Sequence, residues 1–195
     1  DKRSKNQCVF LSRNSSTLVY LHFCPNYTLF LLVKKSLTGQ DPNKLVKKTA
    51  KKMLDREHLY LVGKGTNYPA ALEVSLKIKE TSYLHAEAFA AGELKHGVIA
   101  LIEKGTFCIV LINDGPDKQE VLSSAAQLKA RGASIVGMAS FENESFDIYL
   151  PIPNLGKLTA FAHIILGQLL GYYLGIGRGA DPDKPRNLAK SVTVK

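Results

Sequence analysis

Glu73, Lys77 and Glu80 stand at i, i+4 and i+7, so in a helix they share one face, where two carboxylates bracket one amine and Leu72, Leu76 and Tyr83 flank them. Two acids around one base can move protons. The same spacing also describes a surface ladder of ion pairs, each contributing roughly 0.2–0.5 kcal/mol, and spacing alone does not separate the two readings. Downstream, Tyr83-Leu84-His85-Ala86-Glu87-Ala88-Phe89-Ala90-Ala91-Gly92-Glu93-Leu94-Lys95-His96-Gly97 sets small residues among His, Glu and Lys, a mixture that a merely structural helix rarely needs. His96 suits either an acid–base group or a hydrogen-bonded capping residue. The last stretch, Pro185 to Lys195, is polar and irregular, and fraying is the ordinary state of such an end.

Regular elements must hold these residues in place. Asp41-Pro42-Asn43 opens a helix expected to run to about Asp55, with Leu45, Val46, Thr49, Ala50, Met53 and Leu54 on one face and lysines on the other. His58 to Val62 reads as a strand that stops at Gly63-Lys64-Gly65, and Pro69 begins a long helical pattern: strand, glycine turn, helix. Further strands are expected at Phe107 to Ile112, Ser134 to Ala139 and Phe146 to Pro151, alternating with helices at Lys118 to Arg131 and Leu158 to Gly175. That alternation predicts an α/β fold, a doubly wound parallel sheet flanked by helices. Three segments follow: an unassigned stretch 1–40, a domain 41–180, and a tail 181–195 in which Pro182 and Pro185 stop any helix.

The chain has 195 residues, 45% of them hydrophobic and 22% charged, which suits one globular domain with an appendage. Its net charge of +9 could suggest nucleic acid, but the basic residues gather at Lys2, Arg3, Lys5, Arg13, Lys34, Lys35 and along 44–52, ahead of or at the domain's edge. A small anionic substrate fits the balance equally well, and no nucleic-acid partner is expected. Cys8, Cys24 and Cys108 show neither metal-ligand spacing nor an even disulfide count, which points to a reducing, cytoplasmic protein without a metal or cofactor. Thr17 to Val33 is broken by His22, Pro25 and Asn26, so no membrane span is expected there.

Three blocks, Leu72-Glu73 through Glu80, His85-Ala86-Glu87 to His96-Gly97, and Asp183 through Val194, resemble the isomerase region of glutamine:fructose-6-phosphate amidotransferases (glucosamine-6-phosphate synthases) over roughly residues 41–195. The resemblance implies a sugar-isomerase (SIS) fold with the tail over the active site, and conversion of fructose 6-phosphate and ammonia into glucosamine 6-phosphate. On matching positions it implies that Glu80 carries the proton between C1 and C2 of the open-chain sugar, with Lys77 as a charged helper. His96 would help to open the sugar ring from across a homodimer interface, Lys190 would form an imine at the ketose C2, and Glu73, Asn187 and Ala189 would contact substrate. One carboxylate delivering and retrieving one proton on one face of an enediol is what aldose–ketose exchange requires.

The sequence also departs from that family. Its Ser/Thr-rich phosphate-binding loop has no convincing counterpart here; Asn14-Ser15-Ser16-Thr17 is the only such cluster and its context is wrong. Val74 stands where the family has glycine and Val98 where it has proline, both packing changes. The chain begins at Asp1, without the family's glutaminase domain, so glutamine hydrolysis is not expected of it. It is therefore expected to be an incomplete catalyst on its own, with a non-catalytic sugar-phosphate-binding module or a truncated remnant as the alternatives.

Overall fold

The computed structural model describes residues 41–187. Residues 1–40 and 188–195, including Ala189, Lys190 and the serine cluster at 14–17, lie outside the described residues. Helix α1 (Pro42–Lys51) begins where expected: Asp41 accepts a hydrogen bond from Asn43 N at 3.0 Å and Pro42 fills the first turn. It ends four residues short of Asp55, in turns that still bury Met53.

Five parallel strands follow in the order β2-β1-β3-β4-β5: β1 (His58–Gly63), β2 (His85–Ala90), β3 (Phe107–Leu111), β4 (Ser134–Ala139) and β5 (Ile148–Pro151). Helix α2 (Asn67–Ser82) joins β1 to β2, α3 (Lys118–Lys129) joins β3 to β4, and α4 (Thr159–Gly177) follows β5. Alternating residues of each strand feed two cores. Leu59 and Leu61 pack with α1, α2 and α4, whereas Tyr60 and Val62 pack with α3 and with Ala91 and Leu94 of the short 3-10 helix Ala91–His96. The sheet is thus covered on both faces.

Residues 83–97 differ from the helical reading. Tyr83 closes α2 in the left-handed conformation (φ 58°), its N–H bonded to Lys79 O at 3.1 Å, and the chain turns back as β2, pairing in register with β1. Ala86 and Ala88 are buried beneath α2 while His85 and Glu87 face away, a period of two hidden by the helix-favouring composition.

Helices α2 and α4 approach closely along glycines of α4. A Cβ on Gly167 would overlap the Val74 side chain, and one on Gly171 would meet Thr81 Oγ1 at 2.9 Å. Residues 156–177 are the one segment among the described residues long and apolar enough to span a membrane, and here they lie mostly buried in the core. His163, fully buried, hydrogen-bonds through Nε2 to Met138 O at 3.0 Å and joins α4 to β4; burial lowers its pKa to about 4, so the ring is neutral. Gly167→Ala is expected to lower the urea midpoint at unchanged slope, by about 1–3 kcal/mol of stability; an unaltered midpoint would show that the two helices can part freely.

Candidate active site

The inner face of α2 carries Ala70, Ala71, Val74 and Ile78, all buried, and this leaves Glu73, Lys77 and Glu80 half-buried on the outer side. Lys77 Nζ lies 2.7 Å from Glu80 Oε2 and 3.6 Å from Glu73 Oε1, so the amine bridges both carboxylates. Leu72 and Leu76 beside them are exposed. Each side chain in the cluster keeps about a third of its surface in solvent, so the pairs contribute at most about 1 kcal/mol each. The cluster therefore adds little to stability and remains open to solvent.

The tail comes to the same place. Arg186 N donates to Tyr83 Oη at 2.8 Å and its guanidinium sits 4.0 Å from the centre of the Tyr83 ring. Tyr83 is the cap of α2, three residues beyond Glu80, so the described tail ends beside the carboxylate cluster. Asn187, exposed with φ 61°, is the last described residue there.

His96 is not brought into this group. It ends the 3-10 helix after β2, exposed, on the sheet face that carries Ala91 and Leu94, whereas Glu80 belongs to the face that carries Val74 and Ile78. Because α2 runs back against the strands, Glu80 also sits at the sheet's N-terminal edge and His96 beyond its C-terminal edge, about 20 Å of strand away.

A cleft not anticipated from the sequence opens at the C-terminal ends of β1 and β3, where the strand order reverses. About 370 Å³ in volume, it is lined by Lys64, Gly65, Thr66, Asn67, Asn113 and Lys157 among others. The buried Oδ1 atoms of Asn67 and Asn113 have no protein partner. Lys64 is engaged by Glu120 and, at 3.8 Å, by Asp117; its hydrogen bond to Glu120 is the main cause of its raised pKa. The Gly63-Lys64-Gly65 turn between strand and helix was the available signal. Gly65 adopts φ 57°, and a side chain there would strike Asp117.

The SIS domain family model matches residues 52–147. That stretch, just under half of the chain, is similar to a SIS domain. It is 43% identical over 153 residues to the glutamine–fructose-6-phosphate aminotransferase (isomerizing) of Pyrobaculum aerophilum, covering 76% of this chain and 25% of that protein. With the enzyme of the same name from Methanosarcina acetivorans it shares 38% over 189 residues, 91% of this chain and 31% of the relative. Among solved structures, the C-terminal domain of glucosamine-fructose-6-phosphate aminotransferase from Francisella tularensis superposes with a TM-score of 0.70 at 28% identity, covering 80% of this chain and 45% of that one. Glucosamine-6-phosphate deaminase from Thermotoga maritima gives 0.62 at 31% identity, over 77% of this chain and 46% of that one. The chain thus spans about a quarter to a third of the length of the aminotransferases it matches.

Removing the anchor on α2 should loosen the tail. Tyr83→Ala is expected to speed limited trypsin cleavage after Arg186 several-fold, read by mass spectrometry, with other sites unchanged; equal rates would mean that the tail is held elsewhere.

Proposed function

We propose that this chain is the isomerase portion of a glutamine–fructose-6-phosphate aminotransferase, acting on fructose 6-phosphate with Glu80 as the proton-carrying base. The observation that supports the reading is the docking of Arg186 on Tyr83, which holds residue 186 at the end of the helix that carries Glu73, Lys77 and Glu80. Lys190 is four residues further on, and four residues reach about 14 Å at full extension, so its amine has the reach to meet a sugar beside Glu80. The names of the aminotransferase relatives support the same substrate.

In this mechanism Lys77 holds the Glu80 carboxylate and balances its charge, so that it can take a proton from C1 or C2 of the open-chain sugar and return it to the other carbon. Lys190, deprotonated, condenses with the C2 carbonyl and releases water, and the imine activates the neighbouring C–H bond; ammonia later displaces the lysine. Glu73, Asn187 and Ala189 line the sugar. His96 transfers the proton that opens the ring, and it comes from a second copy, because the sheet separates it from Glu80 within one chain. The partners are then a sugar phosphate and a second chain in a homodimer. The reading keeps the division into residues 1–40, the SIS domain 41–180 and the tail 181–195. A cytoplasmic location is in keeping with Cys108, a free thiol whose pKa burial pushes up to about 12.

With glucosamine 6-phosphate in heavy water, the enzyme is expected to exchange the sugar's C1 or C2 hydrogen for deuterium by NMR, and Glu80→Gln to slow this about 10²–10⁴-fold. Undiminished exchange in that variant contradicts the assignment, while binding without exchange in the unaltered protein points to a sugar-phosphate-binding module.

A further inference from the structure

At the first rung of the β1–β2 ladder, His58 lies opposite His85 in register, and the two imidazoles meet with Nδ1 3.0 Å from Nδ1. The rings are nearly perpendicular, at 88°, with centroids 5.1 Å apart, and both residues are exposed. The pair is separate from the carboxylate cluster, since Ala86 and Ala88 turn towards α2 and His85 therefore turns to the opposite face of β2. Nothing in the proposed reaction uses it.

Two neutral imidazoles facing through Nδ1 can share one hydrogen or one metal ion. Two nitrogens each about 2.0–2.1 Å from one ion stand about 2.9 Å apart at a 90° angle and about 3.4 Å apart at the tetrahedral angle. The observed 3.0 Å, the length of a hydrogen bond, lies nearer the right-angle value, and among first-row divalent ions Cu(II) and Ni(II) favour that geometry with nitrogen and oxygen ligands. Strand pairing supplies the rest of the argument: β1 and β2 hold both Cα positions in register, so only terminal ring torsions, which are soft, must adjust to bring the two lone pairs onto one point.

We propose that His58 and His85 chelate one Cu(II) or Ni(II) ion through their Nδ1 atoms, fastening edge strand β2 to β1. No group of three or more His, Cys, Asp and Glu side chains suited to a metal occurs among the described residues, so water completes the coordination. On binding, the hydrogen shared between the two Nδ1 atoms passes through solvent to Nε2 of its own ring, which leaves both Nδ1 lone pairs to the metal.

The test uses the full chain with Cys8 and Cys24, which lie outside the described residues, changed to Ser, so that their thiols neither bind nor reduce the metal. Calorimetry with NiCl2 is expected to give one equivalent bound, and EPR with CuCl2 to show two equatorial nitrogens. His58→Asn and His85→Asn should each weaken binding at least about tenfold and remove the two-nitrogen signature, whereas His96→Asn should change neither. Should a variant misfold, Cu(II) broadening of amide resonances in the unaltered protein decides instead, with loss at residues 57–59 and 84–86 expected. Wild-type affinity in both variants, broadening centred elsewhere, or no binding at all would overturn the proposal.

Discussion

The close approach of α4 to α2 over Gly167 and Gly171 is the contact on which the site depends. Where a glycine of one helix meets Val74 and Thr81 of the other, α2 cannot roll without overlap, and packing at near-crystalline density leaves little room to compensate. Its roll determines which residues face outward. With Ala70, Val74 and Ile78 committed to the core, Glu73, Lys77 and Glu80 are left together on the outer side, and Tyr83 is left at the end to receive the tail.

The direction of α2 has a second consequence. A helix that joins two parallel strands must run back along them, so its last turn comes to the edge where the strands begin, while the loop after β2 emerges at the other edge and crosses to the other face. Glu80 and His96, only sixteen positions apart in sequence, are thereby separated by the sheet itself. In the proposed mechanism, a centre that uses both is shared between two copies of the chain. The division also places the cleft beyond β1 and β3, where Asn67 and Asn113 Oδ1 have no protein partner, at the start of α2, and Glu80 near its end.

Much of this architecture could be read from residue patterns. The strands at His58, Phe107 and Ser134 and the helices between them are marked by apolar runs cut by glycine, and Asp41 and Pro42 mark the start of α1. Strand β2 could not be read that way. His85-Ala86-Glu87-Ala88-Phe89-Ala90 is built of residues that suit helices, and only the partnership with β1, with small alanines fitting under α2, makes it a strand. The same long-range pairing brings His58 and His85 together across 27 positions, and the reversal of strand order creates the cleft. The cluster on α2 was visible because helical spacing is local; the approach of Arg186 to Tyr83, 103 positions apart, was not.

That the catalytic centre is assembled from two chains can be tested by mixing inactive variants. Glu80→Gln and His96→Asn chains, each inert alone, are unfolded, combined in equal amounts and refolded. Statistical pairing puts half of the dimers in the mixed form, each with one site that retains both residues, so about a quarter of the unaltered protein's exchange rate should return. A mixture as inert as its parents would show that the two residues do not meet across an interface and would contradict the shared centre.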